Sequence, residues 1–255
     1  MTDFIGSGAP LSDDGFIAAK ALIGGDAAAL WTVVSVETTG CGFLADRRPK
    51  ILFERHIFSR LTNGRFDADD PDVSAPTSGG YGAGGAHQYL RLEAAMQLDA
   101  SAALRSASWG LGQIMGGNFA QAGFADARAM VDAFVASENA QLLGMARFIA
   151  NSTLAARLKQ RDWPGFARLY NGPNYAANDY DGKLRDAYDR YSAGPEPDLM
   201  VRAAQLYLTY RGFAVNGIDG AKGPNTNRAV EAYQRSVGIP VTGVIDQTLI
   251  DLLAR

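Results

Sequence analysis

The sequence is poor in the residues that build metal and disulfide sites. Its 255 residues include one cysteine, Cys41, and two histidines, His56 and His87. A single cysteine excludes a disulfide within the chain. A protein-only zinc site needs several His, Cys or carboxylate ligands at short spacing, and the sequence has no HExxH motif. We therefore expect no metal and no other cofactor, which argues against a zinc peptidase or amidase.

Long apolar runs and a dominant charge are missing as well. The net charge is −3, and no stretch approaches the roughly 18 apolar residues of a membrane span. Without a cluster of Lys and Arg, nucleic-acid binding is not expected. The start, MTDFIGSGAPLSDDGF, has neither the basic nor the apolar region of a secretory signal. These absences predict a protein that is made in a cytoplasm and does not insert into a membrane.

What the sequence does have is a 47% share of hydrophobic residues and one clear break. The hydrophobic share is normal for a globular protein with a real core. The segment SAGPEPD, residues 192–198, contains two prolines and a glycine, which stop a helix and form a short linker. The predicted organisation is a large domain at residues 1–191 and a small one at residues 199–255.

The periodicity predicts a mainly α protein. The large domain is expected to be α+β, with a small hairpin or an extended excursion between Gly40 and Phe58 and a long surface loop at residues 62–86. In the small domain, two turns each lead into a helix, which indicates a faint repeat within a three-helix domain. Helices are predicted at residues 26–38, 87–104, 128–149, 163–170, 178–191 and 198–211, from residue 224, and at the C-terminus.

Glu37 interrupts an apolar run in the segment VSVETTGCGF. It continues the helical stripe formed by Leu30, Val33 and Val34. A carboxylate on a buried stripe costs several kcal/mol unless it is paired, hydrated or protonated. Protonation near neutral pH requires a raised pKa, which a general acid for glycosidic cleavage also needs. From this pattern alone, a helix-end charge that reaches solvent is the favoured interpretation.

A second carboxylate occurs in the segment ILFERH. An extended chain places Leu52, Glu54 and His56 on one side, and a strand crossing the end of the first helix would bring Glu54 towards Glu37. Two carboxylates flanking one bond are the usual apparatus of glycoside hydrolysis. Glu37 and Glu54 are thus a candidate catalytic pair, and His56 is a candidate for orienting a carboxylate or contacting substrate. The alternatives are an Arg–Glu ion pair that pins a loop and a purely structural histidine.

Two further segments predict a substrate-binding wall. In SASWGLGQIMGG the glycines allow close backbone approach, so Ser108, Trp109 and Gln113 are candidate contacts, with Trp109 as a sugar-stacking face. A tight helix–helix crossing with Trp109 in the core explains this segment equally well. In LYNGPNY, a turn after a helix presents Tyr170, Asn171 and Tyr175, which suits a sugar-binding wall and also ordinary turn chemistry.

In order along the chain, the blocks ETTGCGF, RPKILFERHIF, SASWGLGQIMG, YNGPNY and YDGK resemble the N-acetylmuramidase domain of phage endolysins. The resemblance covers nearly all of residues 10–191 and implies a lysozyme-like fold. It implies that Glu37 is the main catalytic acid and that Glu54 matches the family's second glutamate. The family usually has Ser where this chain has Thr38, and often Ser or Gly where it has Cys41.

The last part of the chain resembles a small three-helix peptidoglycan-binding domain. The resemblance covers about residues 200–253 and rests on the segments RGF, DG, GPNT, AV, YQ and TG. Family members usually carry Phe where this chain has Tyr233. These turns shape the fold, so they do not by themselves locate a ligand groove.

The two resemblances together imply a phage endolysin that hydrolyses the β-1,4 bond between N-acetylmuramic acid and N-acetylglucosamine in bacterial peptidoglycan. They imply synthesis in the host cytoplasm and access to the wall through a separate membrane-permeabilising, holin-type protein. A monomer is expected. The alternatives are a lytic transglycosylase, a non-catalytic wall-binding protein, and a cysteine peptidase that uses Cys41 with His56 or His87.

Overall fold

The computed structural model describes residues 4–255, and within them the protein is mainly α-helical with one small antiparallel sheet. This confirms the predicted fold class. The large domain contains α1 Asp13–Ile23, α2 Ala27–Thr38, α3 Arg55–Leu61, α4 His87–Arg105, α5 Ala127–Ala136, α6 Glu138–Ala150, α7 Leu154–Gln160, α8 Trp163–Tyr170 and α9 Tyr180–Ala193. The small domain contains α10 Leu199–Tyr210, α11 Pro224–Ser236 and α12 Gln247–Ala254.

Helix α2 positions the candidate acid, and local signals set both of its ends. The Asp26 carboxylate accepts a hydrogen bond from the backbone N–H of Ala29, at 2.7 Å, and caps the N-terminus. Thr39 has a left-handed conformation, with φ of 54°, and ends the helix. Leu30, Val33 and Val34 are fully buried, as the stripe predicts. Glu37 therefore lies in the last turn of a helix whose buried face is apolar.

The sheet lies only partly in the segment where the sequence predicts extended structure. It consists of β1 Ile51–Phe53, β2 Ala107–Trp109 and β3 Ile114–Met115, in the order β1-β2-β3. The hairpin is thus β2–β3, while the segment between Gly40 and Phe58 contributes only β1 and one isolated bridge. The helix–helix crossing considered for the segment SASWGLGQIMGG is wrong. Gly110 and Gln113 in that segment have positive φ angles and turn the chain between two strands.

Two helices replace the single helix predicted at residues 128–149. Ser137 is extended, with φ of −161°, and separates α5 from α6. Its hydroxyl accepts the N–H of Ala140 and caps α6, while its backbone forms a bridge with Ala9. The break depends on a partner far away in the sequence, so helical periodicity alone cannot reveal it.

The small domain repeats one device twice. The Gln205 side-chain oxygen accepts the N–H groups of Asp219 and Gly220, and that of Gln234 accepts those of Thr242 and Gly243. Each glutamine lies on a helix and holds the turn that precedes the next helix. This symmetry gives the faint sequence repeat a physical basis.

Helix α10 has two buried faces. Ala204 and Leu208 pack into the core of the small domain, whereas Leu206 packs against Cys41 and Phe43 of the large domain. The Tyr210 hydroxyl donates a hydrogen bond to the Gly8 carbonyl, at 2.9 Å. The small domain therefore docks directly on the large one, beside the segment that follows α2.

No single helix within residues 4–255 is long and apolar enough to cross a membrane. Helices α1 and α2 satisfy the length and composition criteria only when taken together, and they meet at 104°.

Candidate active site

Glu37 lines a cavity at the end of α2. The cavity has a volume of about 340 Å³, which falls within the range of roughly 300–1,000 Å³ typical of small-molecule sites. Strand β1 and the β2–β3 turn form its walls, and Gly85 from the long loop at residues 62–86 borders it. Its lining consists of Glu37, Thr38, Leu44, Lys50, Ile51, Leu52, Gly85 and Gln113.

Burial in this apolar setting raises the pKa of Glu37 to about 8, from an ordinary value of 4.5. The Tyr180 hydroxyl contacts its carboxyl group through Oε1. Burial raises the pKa of the Tyr170 phenol well above its usual range, and the nearby charge of Glu37 adds to this effect. A carboxyl that keeps its proton at neutral pH beside an open cavity can serve as a general acid.

Polar groups from two segments line the cavity together with Glu37 or support its lining. The Gln113 side-chain nitrogen donates to the carbonyls of Gly110 and Lys50, at 2.8 and 3.2 Å. The Ser108 hydroxyl donates to the Gln113 side-chain oxygen, at 2.9 Å. The Lys50 ammonium donates to the Thr38 carbonyl, at 2.9 Å, one residue beyond Glu37. Gln113 thus lines the cavity, while Ser108 is buried and supports Gln113 through this hydrogen bond.

Glu54 has a different setting from the one that the extended pattern predicts. The chain leaves β1 after Phe53 and enters α3, so Glu54 is the N-cap residue of that helix and His56 lies in its first turn. The carboxylate lies 3.2 Å from Nδ1 of His56 and accepts the Tyr81 hydroxyl at 3.3 Å. Glu54 does not line the Glu37 cavity. The structure therefore brings Glu54 and His56 together, but not into that cavity.

Trp109 does not offer a stacking face. Its side chain is fully buried, with the indole N–H donating to the Leu104 carbonyl at 3.1 Å and the ring packed against Phe4. The expectation that Trp109 stacks on a sugar is wrong, because no part of the ring reaches solvent. The alternative placement in the core is the correct one, although in a strand.

The residues of the LYNGPNY segment diverge in environment. The Tyr170 hydroxyl donates to the Gly112 carbonyl at 2.6 Å, which ties the end of α8 to the β2–β3 turn. Asn171 is exposed just after α8, and Tyr175 is half-buried at the start of a short 3-10 helix. Tyr170 therefore supports the site through the Gly112 turn. The predicted substrate contacts of Asn171 and Tyr175 stay predictions.

Sequence reasoning missed three polar residues around the two carboxylates. Tyr180 contacts Glu37, Lys50 lines the same cavity, and Tyr81 contacts Glu54. Tyr180 begins α9, which packs along α2, so the pairing of these two helices brings it to Glu37. Tyr180 and Lys50 both lie inside family-like blocks, YDGK and RPK, and that was the signal available for them.

Cys41 is buried, and burial together with the negative charge of Glu138 raises the pKa of its thiol to about 11. A nucleophilic cysteine needs a lowered thiol pKa, so Cys41 lacks the character of a peptidase nucleophile. Residues 4–255 contain no group of three or more His, Cys, Asp or Glu side chains that is placed to hold a metal ion.

A carboxyl with a raised pKa that lines a cavity suits the proton donation that glycosidic cleavage requires. The profile of the N-acetylmuramidase family matches residues 26–192, which is more than half of the chain, and the chain belongs to that family. It is a peptidoglycan muramidase, a glycoside hydrolase. A profile described as a putative peptidoglycan binding domain matches residues 198–253.

One solved structure, described as the endolysin of Burkholderia phage AP3, is 42% identical to this chain in sequence. The match covers 72% of this chain and 71% of that one, with a TM-score of 0.66. No curated protein matches the chain.

Proposed function

We propose that this muramidase is an endolysin that cleaves the β-1,4 bond between N-acetylmuramic acid and N-acetylglucosamine in bacterial peptidoglycan, with Glu37 as the general acid. The observation that carries the proposal is Glu37 itself, whose carboxyl lines the cavity and has a pKa raised to about 8. At neutral pH most of its population holds the proton that a leaving glycosidic oxygen needs.

The reaction begins when Glu37 protonates the glycosidic oxygen and the bond to the anomeric carbon breaks through an oxocarbenium-like transition state. The Tyr180 hydroxyl contacts the Glu37 carboxyl and limits its rotation. The Gln113 amide, fixed by the Gly110 and Lys50 carbonyls, faces the same cavity and positions the sugar. A water molecule then forms a bond to the anomeric carbon and loses one proton, and the Glu37 carboxylate regains one, which restores the acid.

Glu54 matches the second glutamate of the family in sequence. Its contacts with His56 and Tyr81 hold it at the base of the long loop at residues 62–86, whose Gly85 borders the Glu37 cavity. We assign Glu54 and His56 to the positioning of that loop around the substrate, with Glu37 as the proton donor.

The small domain supplies affinity for the insoluble substrate. A second binding module raises the effective concentration of an enzyme at a polymer surface. The similarity to a phage endolysin and the match to a peptidoglycan-binding profile support lysis of a host cell as the biological role. That role includes synthesis in the host cytoplasm, action as a monomer, and dependence on a holin-type membrane-permeabilising protein.

The test is mass spectrometry of peptidoglycan digested with the purified enzyme. Hydrolysis gives muropeptides with reducing N-acetylmuramic acid ends. Dominant anhydromuropeptides would contradict hydrolysis and identify a lytic transglycosylase, an outcome that one observation favours, since Glu54 does not line the Glu37 cavity. Reducing N-acetylglucosamine ends would contradict the bond assignment.

A second assay separates enzyme from binding protein. Purified cell walls lose turbidity when their glycan is cut. We expect wild-type enzyme to clear them and Glu37→Gln to leave them turbid. Equal clearing by both proteins would exclude Glu37 as the acid.

A further inference from the structure

A second cavity, of about 680 Å³, lies between the two domains. One wall is the segment that follows α2 in the large domain, and the other is the turn that follows α10 in the small domain. We call it the interdomain cleft. Its lining consists of Thr39, Cys41, Phe43, Leu44, Ala45, Lys50, Thr209, Gly212, Phe213, Ala214, Val215, Asn216, Gly217 and Ile218.

The interdomain cleft adjoins the Glu37 cavity. Leu44 and Lys50 line both, so the two spaces meet at these side chains. A third cavity, also between the domains, shares Thr39 with the cleft but shares no lining residue with the Glu37 cavity. Of these two interdomain cavities, the cleft is thus the one that adjoins the candidate active site.

The lining of the cleft suits an acetylated sugar chain. Sugar-binding sites combine apolar surface with a few polar groups. Here Leu44 and Phe213 supply the apolar surface, and Thr209 and Asn216 supply the polar groups. Among the described residues, the lining contains Lys50 as its charged side chain and no carboxylate. A lactyl carboxylate or a free peptide carboxylate next to an amino sugar therefore meets a positive charge.

Buried contacts fix the width of the cleft. Arg202 of α10 is 1% exposed, and its guanidinium lies 2.5 Å from the fully buried carboxylate of Glu138. The same guanidinium donates to the Gly40 carbonyl at 2.5 and 3.1 Å. Glu138 also accepts the N–H groups of Leu11 and Gly42, each at 3.0 Å. Both walls are therefore held to a common buried ion pair, which makes the cleft a formed site.

We propose that the interdomain cleft binds the glycan strand of peptidoglycan next to the bond under cleavage, so that one sugar chain runs from the Glu37 cavity across Lys50 onto the small domain. The proposal rests on the proposed function and deepens it. It assigns the small domain a share of the active-site groove, in addition to any anchoring surface elsewhere. The ligand class is a β-1,4-linked N-acetylated amino-sugar polymer that carries carboxylates.

The experiment compares glycan strands of two length classes, freed of peptides and separated by size. For the wild-type enzyme, kcat/KM is expected to be higher for long strands than for short fragments, because remote binding energy contributes to the rate. The variants Ala214→Trp and Ala45→Trp fill the cleft from opposite walls, and both positions are exposed. In each, the long-to-short ratio of kcat/KM should fall by about tenfold.

The matched control is Ala221→Trp. Ala221 is exposed and lines the third cavity, which does not adjoin the candidate active site. It should keep the wild-type ratio. Circular dichroism and thermal unfolding establish that the variants are folded. Because the two cleft variants lie on different walls, the test still holds if one of them misfolds. An unchanged ratio in both folded cleft variants, or an equal fall in the control, would overturn the proposal. A wild-type enzyme that cuts neither substrate would instead contradict the proposed function.

Discussion

Glu37 lies in the last turn of α2 among apolar residues, whereas Glu54 lies at the N-terminus of α3 beside His56 and Tyr81. The C-terminal end of a helix carries a partial negative charge, which disfavours a carboxylate, and the N-terminal end favours one. Burial raises the pKa of Glu37 to about 8. The same residue type thus has opposite surroundings within one domain.

The contrast teaches which glutamate can donate a proton. A proton donor needs to be neutral before the reaction, and a cost for the charged form provides this without any partner. Charged and polar partners instead hold a carboxylate in place. The predictions below separate these two roles, beginning with the largest expected effect.

The substitution Glu37→Gln removes the proposed proton donor and should have the largest effect on activity. We expect kcat on purified peptidoglycan to fall by about 10²–10⁴-fold, the usual contribution of a general acid, because an amide has no acidic proton to donate. The amide keeps the size of the side chain, so the fold should persist. The control Glu196→Gln changes an exposed glutamate of the linker and should keep full activity. A Glu37→Gln enzyme within threefold or so of wild type would contradict the assignment.

The variant Arg202→Met tests the interdomain contact beside Glu37. Loss of one partner leaves the buried Glu138 charge without compensation, so the free energy of unfolding should fall by about 3–5 kcal/mol, measured by urea denaturation. The Gly40 carbonyl, three residues beyond Glu37, also loses its donor.

The double variant Arg202→Met with Glu138→Leu is the control for that measurement. It removes both charges, and it should recover much of the lost stability because no unpaired charge remains. A single variant as stable as wild type would show that the ion pair does not hold the domains together.

The variant Glu54→Gln tests whether the second glutamate acts in positioning and not in proton transfer. An amide oxygen still accepts the Tyr81 hydroxyl, but the charge beside His56 is lost. We expect kcat to fall by about tenfold, or about 1.4 kcal/mol of barrier, well below the loss in Glu37→Gln. Equal losses in the two variants would make Glu54 a second catalytic carboxylate.

The pH dependence of stability tests the raised pKa of Glu37 separately from catalysis. Because the folded-state pKa of Glu37 is raised from 4.5 to about 8, its contribution to stability is complete below pH 4.5 and is lost as the pH rises through 8. Glu37→Gln has no such loss. Its Tm relative to wild type should therefore rise across this window. A Tm difference that stays constant with pH would contradict the raised pKa.

The sequence predicts best where the signals are local. The Asp26 cap, the apolar stripe ending at Val34 and the turn after Thr38 define α2, and they place Glu37 on its buried side. Such signals act within a few residues, so a single sequence displays them.

Features set by distant partners were mispredicted or missed. The break at Ser137 depends on Ala9, and the burial of Trp109 depends on Phe4. The contact between Tyr180 and Glu37 spans two helices far apart in sequence. No periodicity encodes which helix packs on which, so these pairings needed the structure.

The docking of the domains had a signal that is visible only in retrospect. Arg202, Leu206 and Tyr210 recur every four residues along α10. They lie beside Ala204 and Leu208, which form the small-domain face. A second buried stripe on a helix indicates a second packing partner. Its identity depends on Glu138, whose burial the sequence does not display.

The most direct test of the account is the titration of Glu37 by NMR, with glutamate labelled at the side-chain carboxyl carbon. Comparison with Glu37→Gln assigns the resonance. We predict that this carboxyl titrates with an apparent pKa near 8, whereas titration near its ordinary value of 4.5 would contradict its role as a proton donor at neutral pH.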